Sequence, residues 1–287
     1  MTATDPIISH IQLKPLLKAR RAGETDVVSS VDLNLTQVPV TLTPEGIRYA
    51  EGLLSWKDAN DVADSDNACY VLERGAASDA LTPVKVFVFS EETRRHCSLY
   101  PTPAAPALLV AGLPMHRIKG VNPMQDTELK IKAAQPTGIV LDTSMGLGYT
   151  AIGAARTAEH VITIELDPGV EEVATYNPYS RELFTHPRIE RRIGDSAEVI
   201  TEFPDDSFTR IIHDPPTIVL AGDLYSGVYY RELFRILRRG GRLFHYIGDL
   251  NSTSGARTVR GVIDRLTAAG FKNVTRRPEA FAVIAFK

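Results

Sequence analysis

Cysteine is scarce in this 287-residue chain, with only Cys69 and Cys97, and tryptophan occurs once. Two cysteines allow at most one disulfide, and a chain long enough to bury a substantial core needs no such staple. Both read as buried small hydrophobes. No Cys or His spacing typical of a metal site occurs, so no metal is expected. A long apolar run is missing too: the most apolar stretch, residues 101–115, carries four prolines and is too short to span a bilayer as a helix. The opening MTATDPIISHIQLK has no uninterrupted apolar segment behind a basic start and does not read as a secretory signal. A soluble cytoplasmic protein without membrane attachment is expected.

A strong charge of either sign is also absent. The chain has 32 Lys+Arg against 35 Asp+Glu and a net charge of -3, which excludes coating nucleic acid by electrostatics alone. Neither part departs from this balance, with 10 basic against 14 acidic residues before Met115 and 22 against 21 from there on. A local cluster, Lys14, Lys18, Arg20 and Arg21, reads as a solvated helix face, with phosphate contact as the alternative. What is there is an ordinary globular composition, 44% hydrophobic and 23% charged, with a mean hydropathy of -0.08.

The pattern along the chain changes once. Up to about Tyr100 the runs are short: VDLNLTQVPVTLT (31–43) alternates like a half-buried strand pair, and 68–73 and 84–90 are further strand candidates. Residues 1–114 are expected to form a small β-rich N-terminal domain, ending in the proline-punctuated stretch that holds Pro101, Pro103, Pro106 and Pro114. Residues 115–287 read as a second, α/β domain with a doubly wound, mostly parallel sheet. Its strands are expected at 138–142, 160–165, 189–193, 209–213 and 242–247, and its helices at 150–157, 169–177, 197–202, 226–238 and 256–269. Two strand-like runs, 273–277 and 280–286, then suggest a terminal hairpin.

The chemistry gathers at the predicted strand ends. VLDTSMGLGYT (140–150) is an apolar strand ending in Asp142, followed by a loop with Gly146 and Gly148 and then a helix start. Such a loop lets backbone pass close to a ligand, and the helix N-terminus offers unpaired N–H groups. GLGYTA also satisfies the G-x-G-x-x-A dinucleotide fingerprint, so the loop alone does not name the ligand. Asp142 suits a cationic amino group better than a pyrophosphate, which favours an amino-acid-bearing cofactor. Glu165 ends the next strand, 17 residues after Gly148, where an acid can accept from both ribose hydroxyls. Asp195, after the third strand, is placed to accept from an adenine amino group, with the Ser196 N–H beside it. Taken singly, Asp142 or Asp195 also serves as a helix N-cap, Glu165 as a surface acid and the glycines as turn residues. Strand four ends in IIHDPPTI, where Pro215 and Pro216 stiffen the turn so that the Asp214 carboxylate and the Pro215 carbonyl can orient an N–H donor. His213 reads as a packed core histidine.

These residues resemble class I S-adenosylmethionine-dependent methyltransferases over about 115–287. More narrowly, MHRIKGVNPMQDT, LDTSMGLGYTAI, IELDP, HDPPT and LYSGVYYRELFRILRRGGRLFHYIG look like the archaeal-type group of predicted methyltransferases with a D-P-P motif. The resemblance implies a Rossmann-like sheet of order 3-2-1-4-5-7-6 with strand 7 antiparallel, and S-adenosyl-L-methionine as cofactor. It implicates Asp142, Thr143, Gly146, Gly148, Tyr149, Thr150, Glu165, Leu166, Asp195, Ser196 and Asp214 in cofactor binding, and Asp214, Pro215 and Pro216 in catalysis. HDPPT is similar to the D-P-P-aromatic motif of amino-directed methyltransferases, with Thr217 where the aromatic stands; Tyr225, Tyr229 or another aromatic would have to supply base stacking for a nucleobase target. The implied activity is methyl transfer to nitrogen, less readily to oxygen, on a nucleic-acid base or a small amine, by a chain that can be oligomeric. Met115, His116 and Arg117 are candidates for the substrate pocket, with plain packing as the alternative. A separate resemblance of the segment after strand four runs to polyamine aminopropyltransferases, which use the decarboxylated cofactor. A nicotinamide oxidoreductase and a catalytically silent cofactor-fold module are the remaining alternatives.

Overall fold

The computed structural model describes residues 5–75, 78–218, 220–249 and 253–287, so the first four residues of the opening segment lie outside the described ones. The chain divides into two compact units, residues 1–124 with 169–181, and residues 125–168 with 182–287. The expected division at 114/115 corresponds here to 124/125, and a helical segment from the second half of the sequence groups with the first unit.

The first unit holds two antiparallel-rich sheets. Strands β1 (Ile7–Ser9), β2 (Asp26–Ser29), β3 (Val38–Leu42), β4 (Gly46–Arg48), β5 (Leu53–Ser55), β6 (Cys69–Arg74) and β7 (Ala80–Lys85) form one, in the order β1-β6-β7-β5-β4-β3-β2. β8 (Phe87–Ser90), β9 (Arg95–Tyr100), β10 (Ala107–Val110) and β11 (Leu113–Pro114) form the other, in the order β11-β10-β9-β8. Helix α1 (His10–Arg21) starts at a capping box in which Ser9 Oγ accepts from the Ile11 N–H and Gln12 Oε1 accepts from the Ser9 N–H. Leu13 and Leu16 on α1 and Ala59 and Val62 on α2 (Trp56–Ala63) share one core with Val40, Ile47, Leu54 and Leu72 of the sheet. Lys14, Lys18, Arg20 and Arg21 lie on the exposed side of α1, with the Arg20 guanidinium 4.0 Å above the Trp56 ring. Both cysteines are buried free thiols.

Residues 31–37, expected as the first member of a strand pair, form a loop instead, and β3 pairs with β2. The cause is local hydrogen bonding. The Asp32 carboxylate accepts from the Thr36 N–H at 2.8 Å and Oγ1 at 2.6 Å, while Leu33 and Asn34 take left-handed φ values of 54° and 71°. Short polar side chains thus offer the backbone an alternative to the ladder.

The second unit is built on one sheet of seven strands: β12 (Gly138–Asp142), β13 (Ala158–Glu165), β14 (Ile189–Ile193), β15 (Phe208–His213), β16 (Leu237–Tyr246), β17 (Lys272–Arg277) and β18 (Ala282–Phe286). Their order is β14-β13-β12-β15-β16-β18-β17, with β18 antiparallel to both neighbours and the first five strands parallel. Numbered along this unit the order reads 3-2-1-4-5-7-6. The central strands β12 and β13 carry mostly apolar runs at 139–141 and 161–164, as strands covered on both faces do, whereas edge strand β14, IERRI, is polar and only partly buried. Leu141, Ile164, Ile211 and Leu243 of the sheet pack with Leu233, Ile236, Val259, Val262 and Leu266 from helices α8 (Gly227–Ile236) and α9 (Thr253–Ala268). Helices α3 (Pro123–Ala134), α4 (Tyr149–Ala155), α5 (Pro168–Tyr176), α6 (Arg181–Thr185) and α7 (Ser196–Val199) complete the chain order, with residues 169–181 belonging to the first unit. Among the described residues no helix is long and apolar enough to cross a membrane.

Helix α3, which opens the second unit, was not expected. Pro123 at its start and Asp126 in its first turn are ordinary helix-start signals. Gly153 of α4 lets α3 approach closely: a Cβ there would stand 2.8 Å from Ile131 Cγ1. Arg242 Nη1 donates to Ala133 O at 3.1 Å and Arg210 Nε to Gln135 O at 3.0 Å, so two cations close the C-terminal end of the helix.

Candidate active site

The carboxyl ends of the parallel strands carry the acids. Asp142, at the tip of β12, is fully buried; its Oδ2 accepts from Thr150 Oγ1 at 2.9 Å and Thr163 Oγ1 at 3.1 Å. Its Oδ1 is buried without a hydrogen-bond partner. Burial pushes the Asp142 carboxyl up to about 7, the nearby Asp214 charge works in the same direction, and the two threonines oppose the rise. The Ser144 N–H also favours the ionised form, and the oxygen left without a hydrogen bond is an acceptor that a cation could contact.

The glycine loop is tied to the strands on both sides of β12. The Thr143 N–H donates to Ile212 O at 3.0 Å and the Met145 N–H to Ile164 O at 2.7 Å. Gly146 and Gly148 have φ of 53° and 77°, and Gly148 is the N-cap of α4. A Cβ on Gly148 would also meet the Leu183 side chain at 2.7 Å. Tyr149 and Thr150, the first residues of α4, are buried.

Glu165 closes the loop from the neighbouring strand. Its Oε2 accepts from the Gly146 N–H at 2.9 Å and its Oε1 from the Asp167 N–H at 3.0 Å. Burial raises its carboxyl to about 7 in spite of these donors. Leu166 beside it is 48% exposed. Asp195 is the N-cap of α7, with Oδ1 accepting from the Ala197 N–H at 2.8 Å, so it fills the capping role that its type and position permit. Ser196 is buried, with Oγ 2.6 Å from the Tyr229 hydroxyl.

At the tips of β15 and β16 successive residues look to opposite sides. On one side His213 and His245 are fully buried, their rings 4.4 Å apart. His213 Nδ1 lies 2.7 Å from Thr143 Oγ1 and Nε2 lies 2.9 Å from Leu224 O, and burial pushes the imidazole down to about 3. His245 Nε2 is 2.8 Å from the Tyr230 hydroxyl. Tyr225 and Tyr229 face this histidine pair and are buried; the Tyr225 hydroxyl donates to Pro216 O at 3.0 Å. Neither ring offers the open stacking face that a nucleobase would need, because each is consumed by the core.

On the other side stands Asp214. It shares the face of Asp142, since Asp142 is in register with Ile212, two residues before it. Asp214 Oδ2 accepts from Lys130 Nζ at 2.6 Å, and Lys130 Nζ also lies 3.0 Å from Asp126 Oδ2 and 4.4 Å from the Tyr246 ring centre. Burial works against the Lys130 ammonium, but the Asp214 and Asp126 carboxylates outweigh it and the lysine stays firmly charged. Burial raises the Asp214 carboxyl and the Lys130 charge opposes that rise. Asp126 and Lys130 escaped sequence reading: an acid and a lysine four residues apart on a helix usually form a solvated pair, and nothing in MQDTELK marks this one as buried. Pro215 is buried, and Pro216 is held by Tyr225. Met115 and His116 belong to the first unit and are tied to β10: the Met115 N–H donates to Leu108 O, and His116 Nδ1 accepts from the Leu108 N–H at 3.2 Å.

The second unit has a Rossmann-like α/β fold, and the chain is similar in fold to solved spermidine synthases. A spermidine synthase in complex with the transition-state analogue AdoDATO superposes with a TM-score of 0.55 at 18% identity, covering 76% of this chain and 79% of that one. The spermidine synthase of Thermotoga maritima gives 0.53 at 18% identity over 76% and 78%. No family model matches the sequence. The chain belongs to the family of the uncharacterized protein MJ1233 of Methanocaldococcus jannaschii, to which it is 39% identical over 287 residues, spanning 98% of this chain and 96% of that protein.

Proposed function

We propose that this protein is an S-adenosylmethionine-dependent methyltransferase directed at nitrogen, with a nucleic-acid base or a small amine as acceptor. The observation that carries the reading is Asp142 Oδ1, a buried carboxylate oxygen with no protein donor at the mouth of a glycine loop. An amino-acid ammonium suits that oxygen as a hydrogen-bond donor, and Glu165 and Asp195 at the next two strand ends suit the hydroxyl and amino donors of a nucleoside. Asp142, Thr143, Gly146, Gly148, Tyr149, Thr150, Glu165, Leu166, Asp195 and Ser196 would hold the cofactor. When bound, S-adenosylmethionine supplies a methyl group on a sulfonium, which passes to a nitrogen lone pair while the C–S bonding electrons remain on sulfur.

The protein's own part is positioning. Asp214 keeps one oxygen on Lys130 and presents the other as acceptor for the N–H of the acceptor, which aims the lone pair and gives the departing proton its first resting place. Pro215 and Pro216, with the Tyr225 bond to Pro216 O, hold that carboxylate still. His213 is neutral, bonded on both nitrogens and turned to the opposite side, so it takes no proton from the acceptor.

A second reading, aminopropyl transfer to a polyamine, draws support from the likeness to spermidine synthases, which spans more of the chain than the second unit supplies. One thermal-shift panel separates the readings: S-adenosylmethionine, its decarboxylated form, S-adenosylhomocysteine and NAD. At about 100 times its dissociation constant a ligand stabilises by roughly 2.7 kcal/mol. The methyltransferase reading predicts that S-adenosylmethionine and S-adenosylhomocysteine raise the melting temperature most; a larger shift from the decarboxylated form, or from NAD, overturns it.

A further inference from the structure

The smaller sheet of the first unit ends in an apolar edge. β8 stands last in the order β11-β10-β9-β8, and among the described residues it pairs with β9 alone. Phe87 and Phe89 on this strand are 50% and 41% exposed, and Val84 just before it is exposed as well. The two phenylalanines are two residues apart and so share one face. His96 of β9, directly opposite Phe89, lies on that face with its ring 4.7 Å from Phe87 and 5.0 Å from Phe89. Val88 points to the other face, opposite the buried Cys97. The strand is therefore anchored from one face and from β9, while its aromatic face and its outer rim stay open.

Exposed edges are usually blunted by proline, by charge or by a bulge. Pro83 and Lys85 do this on β7, but FVFS has neither a proline nor a charge, and its register with β9 runs without a shift. A regular apolar edge of this kind is a template for one more strand.

The charges at its two ends select which strand. Lys85 and Glu91 stand three residues either side of Val88, with opposite sign. If β8 pairs antiparallel with β8 of a second copy about Val88, Phe87 falls opposite Phe89 of that copy and Lys85 opposite its Glu91, and two-fold symmetry makes each contact twice. Centring the pair on Phe87 instead sets Lys85 against Phe89, and centring it on Phe89 sets Glu91 against Phe87, so the charges favour one register. The bond that Glu91 now makes to Arg94 is a surface pair, with both side chains largely exposed, and an interface contact can displace it.

We propose that β8 is the interface of a two-fold homodimer, in which the two four-stranded sheets join edge to edge and the paired phenylalanines of both copies line one face. The test is sedimentation velocity of the full chain across a concentration series. At about 100 μM the wild type is expected to be mostly dimer, as a small but specific interface allows. Lys85→Glu and Glu91→Lys, each alone, set like charges opposite one another at both ends and are expected to weaken the dimer about ten-fold or more. An equimolar mixture of these two variants is expected to dimerise again, because every altered residue then meets the opposite charge on the other chain. Phe89→Ser, which breaks the aromatic pair without touching charge, is expected to weaken the dimer by a similar factor. A wild type that stays monomeric overturns the proposal and leaves the edge to a strand of another protein. A dimer indifferent to the single charge reversals, or a mixture that associates no better than its separate components, overturns the interface.

Discussion

The tips of β15 and β16 place two unlike environments back to back. His213 and His245 look towards Tyr225, Tyr229 and Tyr230, where rings pack closely and polar atoms bond to one another. Asp214 and Tyr246, one residue further on, look towards Lys130 and Asp126, and Asp142 on that same face keeps an unpartnered oxygen. The first side is neutral, with one ring nitrogen, His245 Nδ1, left without a hydrogen-bond partner, whereas the second is charged and keeps a bare carboxylate oxygen on Asp142. What separates the sides is charge: a bare carboxylate oxygen beside one ammonium and two further carboxylates is a natural contact for a ligand's cation, whereas a neutral ring nitrogen among packed rings is not.

Substitutions on the two sides should therefore fail differently. Lys130→Ala leaves two carboxylates in poor solvent without their cation and is expected to cost about 3–5 kcal/mol in urea unfolding, the largest single effect. A loss below about 1 kcal/mol would mean that the cluster is not the buried network described. His213→Phe strands Thr143 Oγ1 and Leu224 O, for a loss of about 1–3 kcal/mol, yet should leave the affinity for S-adenosylhomocysteine unchanged. A matching loss of affinity would move His213 into the site. Thr150→Val, on the charged side, should cost only about 1 kcal/mol while raising the pH midpoint of cofactor binding, since it removes a donor that favours ionised Asp142.

The two sides also answer to pH with opposite sign. Asp142 and Glu165 have carboxyls raised to about 7 from 3.8 and 4.5. The folded ligand-free protein holds protons there that the unfolded chain has released, so their contribution to stability falls as pH rises between about 4 and 7. His213 is lowered from 6.5 to about 3. The unfolded chain binds a proton there that the folded one refuses, so its contribution rises with pH between about 3 and 6.5. Melting temperatures across pH 4–8 should accordingly show a steeper rise in Asp142→Asn than in the wild type, and a shallower one in His213→Phe.

Sequence pattern carried some of this further than the rest. Apolar parallel strands end abruptly in acids, so Asp142, Glu165 and Asp214 could be placed at strand tips, and the glycines at 146 and 148 could be read as loop residues next to a helix start. The strand runs at 138–142 and 189–193 coincide with β12 and β14. Other features depend on what folds against what. The burial of the Asp126–Lys130 pair, the consumption of Tyr225 and Tyr229 by the histidine side, and the loop at 31–37 are set by tertiary packing or by competition among local hydrogen bonds. Alternation in VDLNLTQ is real, but Asp32 and Thr36 close on each other before a strand can form.

The measurement closest to the central claim is calorimetric titration of S-adenosylmethionine into the wild type and Asp142→Asn between pH 5.5 and 7.5. If the bare oxygen at the tip of β12 receives the amino-acid ammonium, wild-type affinity should climb by about ten-fold per pH unit until it levels near 7, as the carboxyl ionises, while the variant binds weakly throughout. Equal affinity in the two proteins, or a wild type indifferent to pH, would contradict it.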